Sequence, residues 1–271
     1  MLNKNDPIQD TCFIILRHVR NPIHKDLWKE CLRCIRSLYK DELVLIIDDN
    51  SDQTLIENLD KEYEWMMHNV KIVPSTFIGA GEILPFYYFH KLRPANNAII
   101  LQDSMFIQKP FDINLINNLE NIKFLWHFHF SCQPKFSDPN MNFVHMQTTM
   151  LNKLDYSNEL ISLFTSCKWV GCFGSSCIIN INFLDLLDKK YNFLKLVHHI
   201  NNRDARQILE RTISIMVLYE LRTNQNIMSN IGNISIFGDI WFNHPHKFQF
   251  TFDDYKKNKL NIPLIKCWNS R

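Results

Sequence analysis

Two apolar runs in this sequence end in carboxylates. Leu43-Val44-Leu45-Ile46-Ile47 leads directly into Asp48-Asp49-Asn50-Ser51-Asp52, and Asn97-Ala98-Ile99-Ile100-Leu101-Gln102 leads into Asp103-Ser104. In open α/β sheets ligands bind beyond the carboxyl ends of the strands, where such side chains accept hydrogen bonds from a base or a ribose. Asn50, Ser51 or Asp52 also suits an Asx turn and a helix N-cap, which leaves two acids directly after the strand for a ligand. Asp103 has the hard oxygen chemistry that Mg²⁺ or Mn²⁺ takes from one or two carboxylates beside substrate phosphates. As a lone acid it is equally a polar turn with Ser104.

Further candidates lie in the second half. Leu209, Ile213, Met216 and Val217 mark a buried helical stripe, and Glu210 falls at its edge, where a cleft carboxylate can take a proton. The alternative is an Arg206–Glu210 pair at i, i+4 on a solvated face. Asp204 also reads as an N-cap. Gly171 and Gly174 bracket Cys172 and Phe173 in a chain with only six glycines, so each answers a backbone need: close approach of the main chain to a sugar, or a tight turn. Gly79-Ala80-Gly81-Glu82 is open to both readings as well, as a loop under a ligand or a helix lead-in. His244 and His246 flank Pro245 beside Trp241 and Phe242, a segment that by itself reads as a solvated turn. Cys31 and Cys34 have redox spacing but sit inside a helix, where core packing is the better account. His127 and His129 alternate with Trp126, Phe128 and Phe130 as the polar face of a strand, open to an acceptor contact rather than to a metal.

These residues need a scaffold, and the hydrophobic pattern supplies one. Strands are predicted at Cys12–Val19, Leu43–Asp48, Val70–Val73 and Ala98–Leu101, with a helix over His24–Tyr39 between the first two. Such alternation implies an α/β fold with a mainly parallel central sheet flanked by helices. The second half is less regular, with predicted strands at Lys123–Phe130 and Ser176–Ile181 and a helix from about Asp204 to Leu221. A length of 271 residues suits one large domain. A balance of 30 basic against 28 acidic residues is too even for a nucleic-acid footprint, so a small or glycan-like partner is expected. The N-terminal segment has neither a signal-peptide pattern nor a membrane span, which predicts a cytoplasmic protein whose eight cysteines are reduced.

The order and spacing of the acidic strand ends carry a resemblance. Asp48-Asp49-Asn50-Ser51 resembles the strand-Asp-Asp-Gly-Ser element of GT-A glycosyltransferases, and Ile100-Leu101-Gln102-Asp103-Ser104 resembles their Asp-x-Asp region, with Leu101 in place of the first Asp. Trp169 to Ser175, and Asp204 to Arg211 ending in Leu209-Glu210-Arg211, resemble segments of a branch of that family found in large DNA viruses and algae. The resemblance implies a GT-A fold over residues 1–271, with a donor-binding half over about 1–110, an acceptor-binding half over about 111–240 and a C-terminal tail at 241–271. It implies transfer of a sugar from a nucleotide-diphosphate sugar, UDP-linked, to a glycan hydroxyl, with inversion and assistance from a divalent cation. Arg17, Asp48, Asp49, Glu82, Arg93, Asp103 and Ser104 would then bind the donor, and Gly171, Cys172, Phe173 and Gly174 the acceptor. Asp103 and His244 would hold Mn²⁺ or Mg²⁺, and Glu210 or Asp204 would be the general base. Should the single Asp act without metal, Lys91 or Arg93 is expected to stabilise the diphosphate.

Two alternatives compete with this reading. A dinucleotide-binding enzyme also carries acids after its second strand, but Arg17-His18-Val19-Arg20-Asn21-Pro22 has no glycine to let the backbone approach a pyrophosphate. The other is a GT-A-like domain that binds nucleotide sugar or glycan without transferring it, which the missing first Asp would suit.

Overall fold

The structure, a computed structural model, describes residues 9–56, 61–130, 143–167, 169–223, 234–245, 249–258 and 260–268. Strands β1 (Gln9–Arg17), β2 (Leu43–Asp48), β3 (Val70–Pro74) and β4 (Ala95–Gln102) run parallel and adjacent, in the spatial order β3-β2-β1-β4. All six residues of β2 are buried, the near-continuous apolar run of a strand covered on both faces. The Pro22–Leu38 helix links β1 to β2, with Asn21 accepting the His24 N–H at 3.1 Å as N-cap and Pro22 entering where a free N–H is not needed. It packs on β1, as does the Leu84–Leu92 helix, while the Ile181–Tyr191 helix packs on β4.

Beyond β4 one strand of the sheet reverses direction. Strands β5 (Met105–Ile107), β6 (Ile122–Phe124), β7 (His127–Phe130), β8 (Trp169–Cys172), β9 (Cys177–Asn180) and β10 (Leu264–Lys266) complete the set described. β9 runs antiparallel to β4 and to β6, closing a six-stranded, mainly parallel sheet. The strand predicted over Lys123–Phe130 is therefore two. β6 pairs with β9, and β7 pairs antiparallel with β8 in a separate ribbon. The main chain changes neighbour at Leu125 and Trp126, where Leu125 donates to Ser176 O and Trp126 accepts from Phe173. No proline or glycine marks the change, so periodicity runs straight through it.

The predicted late helix spans Arg203–Thr223 and packs against β8 and the Phe143–Leu151 helix. Ile208, Leu209, Thr212, Ile213, Ile215 and Met216 are buried along it, a broad face that embeds the helix rather than laying it on the surface. Toward the C-terminus β10 pairs antiparallel with β5, directly beyond Asp103 and Ser104. The described cysteines, Cys12, Cys31, Cys34, Cys167, Cys172, Cys177 and Cys267, are free thiols, and burial pushes Cys34 up to about 12 and Cys31 well above the usual range, so both pack as apolar groups. Among the described residues no helix is long and apolar enough to cross a membrane.

Candidate active site at the strand ends

Register alone gathers the first residues. Arg17 stands opposite Asp48, Leu16 opposite Gln102, and Asp48 opposite Pro74, so the carboxyl ends of four parallel strands share one edge. Arg17 Nε donates to Asp48 Oδ2 at 2.6 Å, and its guanidinium lies over the Trp28 ring at 4.8 Å. Asp48 Oδ1 takes the Ser51 N–H at 2.9 Å. Both charges are buried, where each needs the other to offset its desolvation.

Asp49 does a different job. Fully buried, it accepts the main-chain N–H of Gly79 at 2.7 Å on one oxygen and of Gly81 at 3.0 Å on the other. It thereby fixes the loop that carries Glu82. Gly81 has φ +58°, and a Cβ there would lie 2.2 Å from Arg206 Cδ, so glycine is required for the Arg206 stem to lie across the loop. Arg206 Nε is 3.8 Å from Glu82 Oε2. The salt bridge of Arg206 is thus with Glu82, not with Glu210 one turn along its own helix.

Gln102 is the junction. Its amide nitrogen donates to Glu82 Oε1 at 3.0 Å, and its oxygen accepts from Lys266 Nζ at 2.6 Å. Lys266 Nζ also donates to Ser104 Oγ at 2.5 Å. Asp103, 1% exposed, receives the His18 N–H at 3.3 Å and donates its own N–H to Leu16 O, tying the end of β4 to that of β1.

Glu210 reaches this cluster through Gly174. Its Oε1 accepts the Gly174 N–H at 2.9 Å, and Gly174, with φ +60°, sits so close to Gln102 that a Cβ would be 2.9 Å from the amide. Glu210 keeps a partly exposed surface yet is hemmed in by protein. Burial raises its carboxyl pKa up to about 8; Arg211 opposes the rise, Glu82 adds to it, and the Gly174 N–H and Lys266 oppose it. A carboxylate tuned to that range can take a proton near neutral pH.

The other acceptor-side candidates line the same turn. Gly171 lies under the Phe128 ring, where a Cβ would be 1.9 Å from it. Cys172 is buried and donates to Ser176 O at 3.7 Å. Phe173 meets Trp241 and Trp268 edge-on.

Three expected site residues stand apart. Arg93 follows the Leu84–Leu92 helix and precedes β4, so the length of that strand separates it from Asp103, and it binds both Asp185 oxygens at 2.7 Å. Lys91 lies over the Tyr87 and Tyr88 rings. Asp204 is exposed in the first turn of its helix. His246 lies outside the described residues.

The residues at Asp103 do not fit the expected Mn²⁺ or Mg²⁺. Leu101, in the place of a first Asp, is buried in the sheet. An ammonium already holds Ser104 next door, and a second cation there would meet like charge. His244 turns Nε2 to the Lys266 main-chain N–H at 3.3 Å, with its ring boxed by Trp126, Phe250 and Trp268. Among the described residues the one metal-capable group of three is elsewhere: His127, His129 and Asp239. There Asp239 caps the Ile240–Asn243 turn through the Trp241 N–H at 2.8 Å and holds His129 Nδ1 at 2.5 Å, while His127 Nδ1 bonds Ser235 Oγ at 2.6 Å. A groove of about 530 Å³ lies between the Ser157–Ser166 and Arg203–Thr223 helices, lined by residues such as Ser162, Cys167 and Arg222, and holds none of the strand-end residues.

Sequence reasoning missed Gln102 and Lys266. Gln102 had a signal, as the middle residue of the Asp-x-Asp-like segment. Lys266 had none, since it reaches Gln102 across 164 residues.

No protein-family model matches the chain, and no curated protein does. Among solved structures it is similar to S. aureus TarS 1–349 in complex with UDP, at 12% identity and a TM-score of 0.41, over 74% of this chain and 54% of that one. It is also similar to the galactosyltransferase LgtC in complex with donor and acceptor sugar analogs, at 7% identity and a TM-score of 0.36, over 73% of this chain and 69% of that one. The chain spans about half the length of the TarS fragment it matches. Similarity this partial leaves the chemistry to be read from the chain's own residues.

Proposed function

We propose that the chain is a GT-A-type glycosyltransferase that moves a sugar from a nucleoside diphosphate sugar, UDP-linked, to a hydroxyl of a glycan acceptor. One observation carries the reading. Glu210 is held by the N–H of Gly174, and Gly174 lies against Gln102, so a carboxylate able to accept a proton faces the strand end that carries Asp103 and Ser104.

In this reading transfer is a single displacement. The acceptor hydroxyl gives its proton to Glu210 as its oxygen bonds to the anomeric carbon, and the carbon–oxygen bond to the diphosphate breaks with its electron pair leaving on phosphate. The anomeric configuration inverts. Arg17, Asp48 and Asp49 shape the nucleoside end of the pocket by fixing the strand termini and the Gly79–Gly81 loop, and Glu82 holds the Gln102 amide in place. Gly171 to Gly174 form the wall toward the acceptor.

The test is release of the nucleoside diphosphate (UDP or GDP) from a panel of UDP- and GDP-sugars with mono- and oligosaccharide acceptors, using wild type and Glu210→Gln. Release that depends on acceptor and is lost in the variant supports the reading. The second reading, a module that binds nucleotide sugar without transfer, is favoured by Leu101 at the first Asp position. Binding without release for every donor and acceptor pair selects it.

A further inference from the structure

Lys266 is the feature that the proposed reaction has not yet used. It closes β10, where Lys266 stands opposite Met105 in the pairing with β5, and the next residue, Cys267, donates its N–H to Ser104 O at 2.9 Å. Its own main-chain N–H is held by His244 Nε2 at 3.3 Å. The backbone is therefore anchored on both sides of the side chain. A lysine usually keeps its ammonium in water, letting only its stem pack. This one is 8% exposed and points its ammonium to the end of β4, 2.6 Å from Gln102 Oε1 and 2.5 Å from Ser104 Oγ.

Gln102 makes the placement specific. Its amide nitrogen faces the Glu82 carboxylate and its oxygen faces the ammonium, so one planar group is oriented by opposite charges at its two ends. Gly174 packs against the same amide, which stops it from swinging away. The ammonium is thus fixed beside Asp103, at the strand end where the sequence resemblance calls for a divalent cation and where the residues do not fit one.

We propose that Lys266 is the resident cation of this site, taking the diphosphate of a nucleoside diphosphate donor directly and without a metal ion. The inference rests on the glycosyl-transfer reading. A compact ammonium has three N–H donors on a flexible stem, enough to keep Ser104 or Gln102 and add a phosphate oxygen. When the bond from the anomeric carbon to the diphosphate breaks, the electron pair goes to the departing phosphate oxygen. Lys266 stabilises that charge by hydrogen bonding and keeps its proton. Lys91 and Arg93, the cations expected from sequence, are committed elsewhere, to the Tyr87 and Tyr88 rings and to Asp185.

The experiment is calorimetric titration of the full chain with UDP, GDP and uridine, each in excess EDTA and again with Mn²⁺. The expected result for wild type is diphosphate binding in EDTA that Mn²⁺ changes by less than about threefold. Lys266→Met is expected to weaken diphosphate binding at least tenfold and leave uridine binding unchanged, and Lys266→Arg to retain part of the affinity. The wild-type comparison needs no substitution and tests the metal-free part even if Lys266→Met fails to fold, in which case Lys266→Arg tests the residue. Diphosphate binding that requires Mn²⁺, or that is the same in wild type and Lys266→Met, overturns this inference and leaves the transferase reading standing. No binding of either diphosphate under either condition overturns both.

Discussion

Gly174 presents its main-chain N–H to Glu210 Oε1 at 2.9 Å, across 36 residues of sequence. The bond joins the turn after β8 to the middle of the Arg203–Thr223 helix, and it orients a carboxylate whose ionisation burial has made difficult. Position and proton affinity of the candidate base are therefore set by the same packing.

Glu210→Gln keeps the shape of the side chain and removes its basicity. A positioned general base contributes about a hundred- to ten-thousand-fold, so turnover should fall on that scale while nucleotide affinity changes little. Asp204→Asn, on an exposed first turn, should leave turnover within about twofold of wild type. Diphosphate release measured for both variants checks this; a dead Asp204→Asn beside an active Glu210→Gln would move the base to Asp204.

The raised Glu210 pKa also fixes a pH dependence. A base must be ionised to act, so kcat/KM should climb with pH and level off above about 8. Stability should run the other way. The folded state holds a proton on Glu210 that the unfolded state releases near 4.5, so stability is lost as pH rises from about 4.5 to 8. Thermal melts across that range should show a shallower fall for Glu210→Gln than for wild type.

Gly174→Ala tests the left-handed turn. A non-glycine residue at φ +60° costs on the order of 1–3 kcal/mol, and the added Cβ pushes on the Gln102 amide. Denaturant titration should show a loss in that range, accompanied by loss of turnover because Gln102 and Glu210 both shift. Full activity in a destabilised Gly174→Ala would separate the turn from the chemistry.

Asp49→Ala should act on stability before it acts on binding. It strips the acceptor from two N–H groups, at Gly79 and Gly81, and an unsatisfied buried group costs about 1–3 kcal/mol. A fall in unfolding free energy of about 2–6 kcal/mol is expected on that basis. An unchanged melt with weakened UDP affinity would instead make Asp49 a direct nucleoside contact.

The parts legible in the sequence were those that local pattern encodes. The apolar runs Cys12–Val19, Leu43–Asp48, Val70–Val73 and Ala98–Leu101 predicted the four parallel strands, within a few residues of their ends, and the stripe of Leu209, Ile213 and Met216 predicted the late helix. Side-chain commitments were not legible. Nothing local says that the Asp49 carboxylate closes on a loop 30 residues later, or that Arg206 turns to Glu82 rather than to Glu210 on its own helix. Arg93 looked like a cation for phosphate because its charge is visible, whereas its position before β4 rather than after it depends on the sheet. The split between β6 and β7 was hidden because an extended chain that trades one neighbour for another keeps the same alternation of side chains.

The pairing of β5 with β10 brings a residue made late in synthesis to a strand end made early. Ribosomal synthesis releases the strands of the central sheet by the time Asn180 emerges, and from then on the sheet can assemble. Lys266 follows some 86 residues later and is the final charge to arrive at Gln102 and Ser104. In synthesis from the N-terminus the ammonium contacts of Gln102 and Ser104 therefore form after all strands of the central sheet have been made, when the three-residue β10 docks on β5.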